Sequence, residues 1–157
     1  MDAMTSRIRR LGRSEEGSEL IEMAIITPVL LMILAGIVDF GFMFRSWETV
    51  TNAAREGARV GVLPAYGCAD GGPAEARVVA YLTAAGIAVP PAGNIVPAPV
   101  TFATPAGSLT ACQVDVTVTQ SLPSLTFIIP FFDGSLTSVD LFASSVMRSE
   151  TQAVPGP

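Results

Sequence analysis

The chain has 157 residues, half of them hydrophobic and 15% charged, with nine Arg, no Lys, no His and a formal net charge of −5. Without imidazole there is no His-based metal site and no catalytic triad that relies on His, and two cysteines are too few for a zinc or iron–sulfur site made of thiolates alone. Acidity and scattered arginines argue against a nucleic-acid partner.

The charged fraction is low for a soluble domain because one segment dilutes it. Leu20 to Phe44 is a run of 25 residues broken only by Glu22 and Asp39, and its charge-free centre, Met23 to Val38, is 16 residues long. At 1.5 Å per residue the run reaches roughly 37 Å, against about 30 Å for a bilayer core, so it is expected to span a membrane. Arg7, Arg9, Arg10 and Arg13 precede it, partly offset by Asp2, Glu15 and Glu16. Basic residues mark the cytoplasmic side, which places residues 1–17 in the cytoplasm and the remainder outside it. A cleaved secretory signal is the competing reading. Its apolar region runs to only about 15 residues and ends at a small-residue site, whereas here FMFRSWETV follows without such a boundary. A buried helix of a soluble protein is the blander alternative, and four preceding arginines speak against it.

Pro28 removes the donor that the carbonyl of Ala24 would use, giving either a mild kink or local unwinding that helps packing in a crowded assembly. Carboxylates in such a run are costly and therefore informative. Asp39 is about 7.5 Å along the axis from Phe44, close enough to approach the outer interface. It could be solvated there, or pair with Arg45 or with a partner helix. Glu22 lies near the cytoplasmic end.

Beyond Phe44, Trp47, Val50, Ala53, Ala54, Gly57, Ala58, Val60 and Gly61 keep spacings of three and four, so the helix is expected to continue out of the membrane. Its small residues permit close approach of a sheet or another helix. Glu56 can pair with Arg59 or Asn52, for a few tenths of a kcal/mol at about that level per pair. Leu63-Pro64 ends the helix, and GCADGGP, residues 67–73, reads as a loop.

A second helix is expected over Ala74 to Ala85, with Val78, Tyr81, Leu82 and Ala85 inward and Gly86 stopping it. The Pro-rich VPPAGNIVPAPV then leads to an extended piece near Val100 to Thr104. In Thr110 to Gln120, Cys112, Val114, Val116 and Val118 alternate with Gln113, Asp115, Thr117 and Thr119, a half-buried strand that needs a cover. Residues 45–62 are the natural cover. A last strand over Ser138 to Met147 should return beside the central one. Between them LPSLTFIIPFFDG, residues 122–134, is too apolar for a free loop. It could fill the core, insert at the outer membrane surface or contact a partner. The class is α+β: a transmembrane helix that continues into a membrane-proximal helix packed on a small antiparallel sheet. Three segments result, residues 1–17, 18–44 and 45–157.

Gly17-Ser-Glu-Leu-Ile-Glu22, after a short basic and polar leader and before an apolar helix, resembles the processing site of type IV prepilins of the Flp or Tad class. More widely, SEEGSELIEMAIITPVLLMILAGIVDFGFMFRSWETVTNAAREGARVG, residues 14–61, resembles the N-terminal signature of the TadE-like minor pilins, or pseudopilins. The shared features are the Pro-containing apolar run, Asp39-Phe40-Gly41, and Asn52 through Arg59. The remainder agrees only in layout, including the closing VMRSE.

The resemblance implies a pilin-like fold and cleavage after Gly17 by a membrane aspartyl prepilin peptidase, leaving Ser18 as the new N-terminus. Gly17, lacking a side chain, lets an extended backbone approach catalytic carboxylates. It also implies that Glu22 meets the positive N-terminus of a neighbouring subunit or helps recruit the pilin, with Asp39 as a second assembly residue. Such pairing would compensate a carboxylate at low dielectric. The alternative for Glu22 is that it simply reaches the headgroups. Loss of residues 1–17 removes four Arg and three acids, for a side-chain balance of −6.

The function implied is a minor pilin or assembly subunit of a Tad/Flp-type pilus or secretion system, in the bacterial cytoplasmic membrane with a single pass, and with incorporation into a surface pilus left open. Its partners would be the prepilin peptidase, other pilin or pseudopilin subunits, inner-membrane Tad assembly proteins and the lipid bilayer. No catalytic residue, metal or cofactor is expected: Asp70, Asp115, Asp133 and Asp140 lack a recognisable metal spacing. The alternative is an uncleaved bitopic scaffold of another envelope complex. In the exported topology Cys68 and Cys112 meet an oxidising compartment and are expected to form a disulfide rather than a reactive thiol.

Overall fold

The computed structural model describes residues 15–63, 65, 66, 68, 72–91, 93–105, 107–122 and 138–148. The leader up to residue 14, the greater part of the apolar stretch 122–134 and the end of the VMRSE element therefore lie outside the described residues.

Helix α1 runs from Glu15 to Gly61, 47 residues without interruption. At 1.5 Å per residue it is about 70 Å long. Pro28 sits inside it and the helix continues on both sides, so of the two readings of that proline local unwinding is not what is seen. Bonds from Val62 N–H to Ala58 O and from Leu63 N–H to Val60 O close its last turn, directly before Pro64 in the sequence.

Helix α2, Pro73–Ala84, begins with Pro at its first position, where a missing N–H costs nothing, and lies one residue earlier than expected. Gly86, at φ +73°, ends it. Its N–H donates to Thr83 O while Ile87 N–H donates to Leu82 O, the paired bonds of a Schellman cap, and Ile87 packs on the core beside Leu82. The inward face is Ala74, Val78 and Leu82, with Tyr81 half-buried. Ala85 is instead the exposed cap residue: it keeps helical φ and ψ and its N–H still donates to Tyr81 O, but it lies at the very end of the helix, beyond the last buried residue, Leu82.

Three strands, β1 (Ile95–Thr104), β2 (Gly107–Ser121) and β3 (Ser138–Arg148), form an antiparallel sheet in the order β1-β2-β3. β1 starts five residues before the extended piece read from the sequence, and takes in Pro97 and Pro99. The register explains why both are tolerated. Asn94 stands opposite Thr117, whose N–H it accepts, so the bonded pairs of β1 fall at even-numbered residues; Pro97 and Pro99, opposite Val114 and Cys112, occupy positions where no ladder bond is called for.

One face of the sheet carries Cys112, Val114, Val116 and Val118 with Leu141 and Ala143 of β3, and it is covered by both helices. Val50, Ala53, Ala54 and Ala58 of α1 and Val78 and Leu82 of α2 complete the core. On the other face Gln113 hydrogen-bonds the carboxylate of Asp115, and Val96, Phe142 and Val146 are exposed around them. The disulfide Cys68–Cys112, with Cα atoms 5.6 Å apart, ties the connection after α1 to the central strand.

Candidate functional site

Gly17, Ser18, Glu22 and Asp39 all lie on α1. The described helix begins at Glu15, so the Gly17–Ser18 peptide lies within its first turns, with Ser18 exposed. Glu22 is one turn further on and exposed, as are Leu20, Ile21, Met23, Ile25 and Ile26 around it. The most apolar 18 residues of the helix have a mean hydropathy of 2.4 and none is buried, so this is not a core helix of the fold it leads into. It is long and apolar enough for one membrane crossing.

The two carboxylates that bracket the charge-free centre are in opposite situations. Glu22 and Asp39 are about 25 Å apart along the axis and roughly 100° apart around it. Glu22 is exposed. Asp39 is 2% exposed and engaged in a polar interaction. That burial removes the solvated reading of Asp39. Sequence pattern gives a carboxylate at the outer end of the run but not the direction it faces.

Toward the domain, the small residues of α1 do what their size allows. A Cβ placed on Gly57 would lie 2.5 Å from Val78 Cγ2 and 3.2 Å from the carbonyl oxygen of Ala74. On Gly61 it would lie 2.5 Å from Cys112 Sγ. Gly36 and Gly41, in the apolar run, have nothing within 4 Å. Only the first pair is a packing requirement of this chain.

Glu56 makes its shorter ion pair with Arg77 of α2, at 3.3 Å, and a looser one with Arg59 at 3.9 Å. The contact with Arg77 spans 21 residues and has no signature in helical spacing. Trp47 packs near Phe44 with ring centroids 5.9 Å apart, just beyond the apolar run where amphipathic aromatics favour a membrane interface.

Residues 17–59 match the family of TadE-like proteins. This segment is TadE-like. The match opens at Gly17 and closes two residues short of the end of α1, so the TadE-like region is the helix itself, including Glu22, Asp39 and Gly57, and takes in no part of the sheet. Neither a curated protein nor a solved structure matches the chain. The TadE-like helix is thus joined to a small α+β domain that lies outside the match.

Proposed function

We propose that the protein is a minor pilin or pilus-assembly subunit of a Tad/Flp-type pilus or secretion system, without catalysis of its own. It is anchored in the bacterial cytoplasmic membrane with residues 1–17 in the cytoplasm, and its maturation is cleavage after Gly17 by a prepilin peptidase. The observation that carries this reading is Glu22: an exposed carboxylate inside the apolar run, one turn after the also exposed Glu19, on a TadE-like helix that runs unbroken into the domain core. Nothing in the chain's own packing needs that charge. A carboxylate held near the membrane core is compensated best by a cation from outside the chain, and the free amino terminus of a processed neighbour is one. Other pilin or pseudopilin subunits and the inner-membrane Tad assembly proteins are the partners of this reading.

The experiment is a pair of substitutions, Gly17→Ala and Glu22→Ala, followed by mass spectrometry of the membrane fraction and a count of surface pili. Native protein is expected to begin at Ser18. Gly17→Ala is expected to retain the leader, and Glu22→Ala to be cleaved but poorly assembled. Normal pili from an uncleaved Gly17→Ala strain would remove processing from the mechanism.

One observation favours the second reading, an uncleaved bitopic scaffold. The Gly17–Ser18 bond is helical, whereas a peptidase needs it extended, so cleavage requires the first turns of α1 to unwind. An intact leader in the native protein would select this scaffold reading.

A further inference from the structure

The sheet has two edges, and they are finished differently. Thr117 N–H donates to Asn94 O, so the odd-numbered residues of β2 turn their backbone groups toward β1 and the even-numbered ones toward β3. With Val114 opposite Ser145 and Val116 opposite Ala143, the odd-numbered residues of β3 complete that ladder. Asp140, Phe142, Ser144, Val146 and Arg148 therefore turn their N–H and C=O groups to the free edge. On β1 the outward positions are the odd-numbered ones, and two of them are Pro97 and Pro99, so that edge is short of two donors. β3 has no proline in its 11 residues, and among the described residues no strand lies beyond it. A long edge without such protection, flanked by apolar side chains, is a template for another strand. Phe142 and Val146, 58% and 46% exposed, are those flanks.

We propose that the free edge of β3 takes up an extended segment of a different polypeptide by antiparallel strand addition, with a basic residue opposite Asp140, apolar residues opposite Phe142 and Val146, and an acidic residue opposite Arg148. Main-chain bonds to the edge supply affinity in such pairing and the alternate side chains supply selectivity. Here the alternate side chains share the outer face of the sheet: an acid and a base at the two ends, and two exposed apolar groups between them. Residues directly opposite each other in an antiparallel pair meet one to one, which fixes the complement at each position. β3 itself carries that complement, since pairing with a second copy about Ser144 would set Asp140 against Arg148 and Phe142 against Val146. The two-fold axis of that pairing is normal to the sheet, however, and α1 lies along the sheet face over β2 and β3. It would turn the two α1 helices antiparallel, an arrangement closed to copies anchored the same way in one bilayer. The β1 edge of a second copy lacks donors at Pro97 and Pro99, so a foreign segment is the occupant that fits. This choice of occupant rests on α1 spanning a bilayer and is independent of cleavage after Gly17.

The probe is the peptide acetyl-Glu-Thr-Val-Thr-Ser-Thr-Val-Thr-Arg-amide, whose alternate residues meet Arg148, Val146, Ser144, Phe142 and Asp140 in that order. It is added to the full chain in nanodiscs, and amide hydrogen exchange is followed residue by residue. In the chain alone the N–H groups of Phe142, Ser144 and Val146 are expected to exchange freely while those of Ala143 and Ser145 are protected by β2. The peptide is expected to slow the first three by about ten-fold. Ser144→Pro removes one edge donor where β2 calls for none, as Pro97 and Pro99 do on β1, and is expected to weaken the peptide about ten-fold with the disulfide and unfolding midpoint kept. Arg148→Glu is expected to weaken it about five-fold, and a peptide with Lys in place of its Glu to restore binding. Slow exchange of Phe142, Ser144 and Val146 in the chain alone would mean that the chain covers its own edge, and overturns the proposal. No slowing by the peptide, or equal affinity for native and Arg148→Glu protein, overturns it as well. A disulfide-linked dimer of a Ser144→Cys chain in nanodiscs assigns the edge to a second copy and overturns the foreign partner. Protease digestion of the nanodiscs reports insertion separately: failure of α1 to insert removes the bar to a second copy and overturns the choice of occupant.

Discussion

Gly57 and Val78 meet where no methyl group fits: a Cβ on the first would stand 2.5 Å from Cγ2 of the second. The close approach of α1 to α2 depends on that missing atom. Gly57→Ala gains helix propensity worth about 1 kcal/mol but incurs overpacking of about 1–3 kcal/mol, because the Ala74 carbonyl behind the site is backbone and cannot turn aside. Net destabilisation is expected, read as a lower midpoint in denaturant titration of the detergent-solubilised chain. Gly36→Ala, with open space around it, should be neutral or slightly stabilising in the same assay.

The bridge between Cys68 and Cys112 closes a loop with a sequence separation of 44. Chain-entropy arithmetic gives about 4 kcal/mol for a loop of that size. Cys68→Ser, or reduction of the native protein, is expected to lower the unfolding midpoint of the domain while leaving the helical circular dichroism of α1 largely intact. A midpoint that ignores reductant would show that the bridge does not constrain the unfolded chain.

Glu56 and Arg77 should matter little. Both are partly solvated, and exposed pairs contribute about 0.2–1 kcal/mol. A double-mutant cycle with Glu56→Gln and Arg77→Gln is expected to return a coupling within that range, shrinking as salt is raised. A coupling several times larger would mean that the pair organises the contact between α1 and α2.

The two carboxylates of α1 should separate cleanly in mutagenesis. Asp39→Ala removes a buried, engaged group and is expected to destabilise the isolated protein by about 1–3 kcal/mol. Glu22→Ala changes an exposed side chain and is expected to stay within about 0.5 kcal/mol. Thermal unfolding of both variants in one detergent checks this; a destabilised Glu22→Ala protein would contradict an exclusively intermolecular role.

Much of the architecture could be read from pattern alone. The alternation through Cys112, Val114, Val116 and Val118 marks the central strand and its covered face, and the small residues from Ala53 to Gly61 mark the face of α1 that meets it. The start of β1 was hidden because Pro97 and Pro99 read as breakers, and only the pairing register shows that an edge strand accommodates them. Ala74 replaced Ala85 on the inner face of α2: Ala85 keeps helical φ and ψ, so its exposure reflects where packing on the helix ends, which the helical period does not encode. At the candidate site, the residues Gly17, Glu22 and Asp39 were visible as chemistry in an apolar context. That Asp39 turns inward and that Arg77 reaches Glu56 both depend on how distant segments dock, which local spacing does not encode.

An unbroken α1 also has a mechanical meaning. With helix continuous from the apolar run into the core, the domain has no swivel of its own at the membrane surface: a change in the tilt of the rod in lipid swings the domain like the head of a lever. A tug on the domain is delivered along the same axis to residues near Gly17. Extraction from the bilayer and reorientation of the domain would accordingly be one motion rather than two.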